Sequence, residues 1–210
     1  MNVIKKIFLV FLALIFCGCA SDYNSKTRKI ATWKDRRDEN VVMQKYDFSC
    51  GTGSLATLMR YCFGDDVEEK KLILDFLKSL TEEEKISITK NGFSMLDLKS
   101  LAEQKGYQVY IVNSTVKLLK LNRPMLVYLE TKDFKHFAVF RGVREDRIFL
   151  ADPSRGNVRM SIRGFLKEWK AKKALIIVKK GFEQIQDNPL LIKRKEDFRL
   201  EVHAVRNRLF

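Results

Sequence analysis

The apolar residues of this chain change their period near its middle, and that change restricts the fold more than any other feature. Leu55, Leu58, Met59 and Cys62 recur at i, i+3, i+4 and i+7, one face of a helix beginning near Cys50 and ending near Gly64. Asp66 with Glu69 predicts a capped second helix through Leu80. Ser94 with Asp97 predicts a third, with Leu98, Leu101 and Ala102 facing inward and Gly106 as its stop. Beyond Gly106 the pattern becomes that of strands, over 107–112, 125–130, 136–143, 147–151 and 174–179. A turn at Asp152-Pro153-Ser154-Arg155-Gly156 separates two of them. Helices first and strands afterwards predict an α+β domain, with N-terminal helices packed on a C-terminal antiparallel sheet.

This domain is expected to span 41–180, because both flanks read differently. Residues 1–19 carry two early lysines and then the apolar run from Ile7 to Phe16. That run is about half of the ~20 residues a spanning helix needs, so a secretory signal fits better than a permanent span. Phe16-Cys17-Gly18-Cys19 closes it and resembles a bacterial lipobox, which implies cleavage before Cys19 and a lipid on that residue. Ala20 at the next position resembles outer-membrane lipoproteins, so the expected location is the periplasmic side of the cell envelope. Residues 20–40 are polar and read as a tether, and 181–210 as a charged C-terminal extension. Processing would leave Cys50 and Cys62, roughly 18 Å apart along one helix axis. A disulfide tolerates only about 7 Å between Cα atoms, so the two cannot pair within one molecule. A free thiol in an oxidising compartment asks for a use, whereas Cys62 fits as a small buried hydrophobe.

The net charge of +14 makes nucleic acid the reflex reading, but neither export nor the motif content supports it. Attraction to an anionic lipid surface beside the anchor is the better expectation. Only two histidines exist, so histidine chemistry must use His136 or His203. No metal site is expected, because His203 and the scattered carboxylates lack zinc-ligand spacing. Cys50 stands at a helix start, after Ser49 as a candidate N-cap and before Gly51-Thr52-Gly53-Ser54. Unpaired N–H groups and the positive dipole end favour negative charge on its sulfur there, and the small residues admit a substrate backbone. Gln44, six residues upstream, is a candidate donor to a developing oxyanion. His136 opens a strand, a rigid position for a general base, and Asp152 is placed to orient its ring. Each of these residues alone has an ordinary structural reading.

Their order is more specific than any one of them. Gln44-x5-Cys50-Gly51, Gly92-Phe93-Ser94 with Leu98 and Ala102, His136-Phe137-Ala138-Val139 and Asp152-Pro153-x2-Gly156 together resemble the C39 peptidases. Those are papain-like enzymes that cleave leader peptides after a double glycine in bacteriocin exporters. The resemblance implies Cys50 as nucleophile, His136 as base, Asp152 as its orienter and Gln44 as oxyanion donor, acting without a cofactor. It implies a peptide or protein substrate, one cut at small residues being a possibility the motif leaves open. No P-loop pattern occurs, so the chain looks like the stand-alone exported C39-type proteins, including those that accompany functional-amyloid secretion. Two other readings stay open at this point: acyl transfer to an amine by the same triad, and a non-catalytic peptide-binding module on the same fold.

Overall fold

The computed structural model describes residues 31–113, 119–131, 135–181 and 188–192. The signal region, Cys19 and most of the tether and the C-terminal extension lie outside them. Six helices are given by their bounds: α1 Trp33–Asp38, α2 Cys50–Phe63, α3 Glu69–Leu77, α4 Glu82–Asn91, α5 Met95–Gln104 and α6 Ile162–Glu168. The strands are β1 Tyr107–Asn113, β2 Met125–Glu130, β3 Lys135–Arg144, β4 Arg147–Asp152, β5 Gly156–Ser161 and β6 Lys173–Lys179. They form one sheet in the order β1-β6-β2-β3-β4-β5, with every pairing antiparallel. The expected α+β architecture is therefore present.

Alternation along β3 shows how the sheet is covered. Phe137 and Val139 belong to one buried cluster with Leu55, Leu58, Met59, Leu98, Leu101 and Phe76 of the helices. Ala138 and Phe140 belong to another, with Phe165 of α6 and the wholly buried Trp169. Successive side chains of a strand point to opposite faces, so the sheet is sandwiched. The sequence reading found the first layer and missed α6 and β5.

Local chemistry explains several boundaries. Gly64 takes the left-handed conformation (φ 72°), its N–H donates to the Arg60 carbonyl and the Asp65 N–H to the Met59 carbonyl, which ends α2 as expected. Ser94 and Asp97 form the anticipated capping box on α5. The Asp66–Glu69 pair does not cap α3, whose N-cap is Glu68 with no side-chain bond. Asp66 instead pairs with Arg60 at 3.1 Å, and Glu69 is buried against the segment before Cys50. Nor does the second helix reach Leu80: it stops at Leu77, and Thr81 with Glu84 forms a capping box that starts α4.

The last part of the stretch read as a tether is folded. Thr32 and Asp35 form a capping box on α1, and Asn157 of β5 donates to the Arg36 and Glu39 carbonyls. Gly156 has φ 78°, and a Cβ there would stand 2.4 Å from the Arg37 carbonyl oxygen. The glycine of the Asp-Pro-x2-Gly motif thus admits α1 to the sheet. Residues 188–192 are also docked: Arg141 donates to the Leu190 and Pro189 carbonyls at 3.0 and 2.9 Å, and Leu190 is fully buried.

Candidate active site

Cys50 is the first residue of α2, and the next nine residues are all buried. Glycine fits closely inside this helix at position 53, because a Cβ there would stand 3.0 Å from Pro153 Cβ and 3.3 Å from the Val42 carbonyl oxygen. The turn after β4 therefore packs directly on the helix that carries Cys50. The same turn holds the approach segment, since the Gln44 N–H donates to the Pro153 carbonyl at 2.8 Å. Thr57 fastens it further on: its hydroxyl donates to the Gly53 carbonyl at 2.8 Å and accepts from the Val42 N–H at 2.9 Å. Ser49 is not the expected cap. Its hydroxyl makes no capping bond and is turned towards Tyr46 and Glu69.

The sheet delivers the other two residues. Val139 of β3 stands opposite Ala151 of β4, so Asp152 falls one step nearer the start of β3, where His136 lies. His136 Nε2 and Asp152 Oδ1 are 2.8 Å apart, and both residues are buried. Asp152 is held from several directions. Its Oδ1 accepts from the Ser154 N–H (2.9 Å), the Ser154 hydroxyl (2.8 Å) and the Arg155 N–H (3.1 Å). Its Oδ2 accepts from Arg155 Nε at 2.7 Å. Burial would raise this carboxyl, but His136 and Arg155 hold it well below the usual carboxylate range. His136 shows the complementary effect. Burial would lower it, yet bonds to Asp152 and to the Cys50 side chain push it up to about 9. The imidazole thus joins Cys50 to Asp152 and keeps its proton through neutral pH.

Gln44 is close by but engaged. Its side-chain nitrogen donates to the Tyr46 carbonyl at 3.1 Å, and its buried amide oxygen has no hydrogen-bond partner among the described residues. A primary amide has two N–H donors, so one remains for a ligand. Beside Cys50 opens a cleft of about 810 Å³ lined by Ile88, Phe93, Met95, Ile111, Tyr128 and Phe137, with Lys135, Lys173, Glu84 and Asp97 also in its lining. Gly92-Phe93-Ser94 lies in its wall, which gives that motif a place next to the thiol. Cys62 is buried away from the cleft, and burial pushes its thiol up to about 11. Sequence reasoning missed Ser154 and Arg155 as supports of Asp152, although the turn residues themselves were the signal. It also misread Glu69. Among the described residues, no group of three His, Cys, Asp or Glu side chains gathers to hold a metal ion.

A helix-borne thiol, a strand-borne imidazole and a carboxylate at the next strand's end can perform acyl transfer through sulfur. The comparison with known proteins agrees. Residues 38–182 match the model of the peptidase C39 family. This chain belongs to the peptidase C39 family. The curated protein "Probable functional amyloid protease FapD" of Pseudomonas fluorescens is 35% identical over 144 residues, covering 68% of this chain and 62% of that relative. Its namesake in Pseudomonas aeruginosa is 30% identical over 166 residues, covering 78% and 70%. Among solved structures, the peptidase domain of Streptococcus ComA, a bi-functional ABC transporter involved in quorum sensing, superposes with a TM-score of 0.56 at 21% identity. That match covers 67% of this chain and 98% of the domain, and it establishes the C39 fold here.

Proposed function

We propose that this C39 chain is a cysteine peptidase that cleaves an exported protein or peptide at the cell envelope. The observation that carries the reading is His136, bonded to Asp152 on one side and to Cys50 on the other, at the mouth of an apolar cleft. Cys50 sulfur attacks the scissile carbonyl carbon, and the carbonyl oxygen takes up the negative charge. The second N–H of Gln44 and the backbone N–H of Cys50 receive that charge. His136 gives its proton to the leaving amine, so the C–N bond breaks and a thioester remains on Cys50. The imidazole, now neutral, takes a proton from water as it attacks, and the acid product leaves. Asp152 keeps Nε2 occupied, so the other ring nitrogen faces the sulfur.

The FapD relatives direct the substrate search towards an exported amyloid-forming protein or a protein that travels with it. The lipobox-like Cys19 and the basic surface support an anchored form, facing the periplasm from the outer membrane. The test is to incubate the purified chain with proteins exported by its own host and to read new termini by mass spectrometry. Cleavage is expected with wild type and absent with Cys50→Ala or His136→Ala; cleavage at the wild-type rate by Cys50→Ala would sink the assignment. Membrane fractionation of wild type against Cys19→Ala tests the anchor.

A further inference from the structure

Glu69 is a carboxylate where a protein gains little from one. It opens α3 yet is only 3% exposed, and desolvation raises its pKa despite bonds from Ser49 and Lys45. Burying such a group is costly unless its oxygens are used. Both are used, and both by the segment that leads into the proposed nucleophile. Oε1 lies 2.7 Å from the Ser49 hydroxyl, and Oε2 accepts the Lys45 N–H at 3.1 Å. Ser49 Oγ in turn accepts the Tyr46 N–H at 3.2 Å and lies 2.9 Å from the Tyr46 carbonyl. That carbonyl receives the Gln44 side-chain N–H. The contacts therefore run unbroken from Glu69 through Ser49 and Tyr46 to Gln44.

The proton count decides what the carboxylate does. Ser49 has one hydroxyl proton and two acceptors within reach, the Tyr46 carbonyl and Glu69. An ionised Glu69 is the stronger acceptor and takes it. The Tyr46 carbonyl, which also accepts the Ser49 N–H at 3.1 Å, then keeps its other lone pair for the Gln44 amide, whose second N–H stays directed by that bond.

We propose that Glu69 is a positioning residue for the oxyanion side of the reaction, fixing the 44–49 segment so that Gln44 and the Cys50 N–H converge on one point. This rests on the peptidase reading above. It concerns stabilisation of a carbonyl-derived oxyanion and leaves the thiol–imidazole pair untouched, which makes it separable.

Two small probes divide the effects. A p-nitrophenyl ester of an N-acylglycine acylates a cysteine through an oxyanion, whereas iodoacetamide alkylates it by displacement at carbon with no oxyanion. Both rates are read on the Cys50 peptide of the purified full chain by mass spectrometry. Glu69→Leu is expected to slow acylation by roughly 10- to 100-fold while alkylation stays within about twofold. Glu69→Gln is expected to recover acylation only in part, because its amide still accepts from Lys45 but donates to Ser49, which turns the Ser49 proton onto the Tyr46 carbonyl. Ser49→Ala, which cuts the relay while leaving the sequence of α3 unchanged, is expected to slow acylation in the same selective way. Equal loss of both rates in Ser49→Ala and Glu69→Leu, or wild-type acylation in Glu69→Leu, overturns the proposal. If wild-type acylation is no faster than that of His136→Ala, the peptidase reading itself fails and this one with it.

Discussion

The two flanks of Cys50 are built differently. On the sheet side, the buried Asp152 accepts from His136 of β3, and from Ser154 twice and Arg155 twice in the turn that follows β4. On the loop side, Gln44 is directed by a single bond to the Tyr46 carbonyl, and its amide oxygen is left without a hydrogen-bond partner among the described residues. The first flank is over-determined by covalent neighbours in a tight turn. The second depends on a residue 25 positions away in sequence reaching back to the segment, as the numbering of Gln44 and Glu69 shows. One flank should therefore fail as a fold, and the other only as a catalyst.

The largest expected effect is on the sheet side. Asp152→Ala leaves the His136 proton, the Ser154 N–H and hydroxyl and the Arg155 guanidinium without their acceptor. Breaking a buried charged pair by removing one partner costs about 3–5 kcal/mol. We expect acylation of Cys50 to fall by roughly 10³-fold or more and the urea midpoint to drop in the same variant. Asp152→Asn should recover part of the stability and little of the rate, because an amide cannot stabilise the imidazolium as a carboxylate does. If Asp152→Ala keeps its urea midpoint, the turn is held by something other than this carboxylate.

The loop side should break next. Gln44→Ala removes a proposed oxyanion donor whose side chain makes one bond, so acylation should fall by roughly 10- to 100-fold. Its urea midpoint should move by less than about 0.5 kcal/mol equivalent. A rate loss of the same size as that of Asp152→Ala, together with unfolding, would erase the distinction between the flanks.

The same contrast sets how much of the site was legible in sequence. Cys50, His136 and Asp152 sit at ends of elements whose periodicity is strong, and the Asp-Pro turn carries its own chemistry. Their convergence needed only the register of β3 on β4 and the packing of Pro153 against Gly53. Glu69 was misread because an acidic residue three positions after Asp66 is what a capping box looks like. Nothing local says that the side chain turns inward towards Ser49. Ser49 was misread for the same reason: a serine before a helix predicts a cap, and only tertiary contact diverts its hydroxyl. Helices α1, α4 and α6 were missed although capping residues mark them, since short, charged or mixed segments carry little apolar period. Their stability comes from docking, as with α1 on Asn157 and Gly156.

A titration sharpens the comparison from the sheet side alone. His136 is raised from about 6.5 when unfolded to about 9 in the fold, so the folded state binds its proton more tightly. That contribution to stability is complete below pH 6.5 and disappears as the pH rises through 9. Asp152 has the opposite sign: its contribution is present above the ordinary carboxylate range and is lost as the pH falls below it. We expect the urea-unfolding free energy of wild type to fall by roughly 2 kcal/mol between pH 7 and 10, and that of His136→Ala to lack this step. Peptide cleavage should decline over the same window, because there the leaving amine is protonated by the imidazolium. A wild-type free energy that shows no such step would mean that Asp152 does not stabilise the imidazolium.

Arg155 should give the smallest effect, and the reason lies in its exposure. Its guanidinium meets Asp152 Oδ2 at 2.7 Å, but its side chain is 40% exposed, whereas Asp152 is fully buried. Solvent screens the arginine end of the pair, and pairs of this kind contribute about 0–1 kcal/mol. Its backbone N–H, which bonds Oδ1, survives any substitution except proline. Arg155→Gln should therefore cost less than about 1 kcal/mol and slow acylation by less than about fivefold. Its own signature should be salt dependence, with the wild-type advantage shrinking between 0.05 and about 1 M sodium chloride as screening grows. If Arg155→Gln instead matches Asp152→Ala, the exposed guanidinium rather than the turn backbone fixes the carboxylate. The sheet flank would then be as singly held as the loop flank.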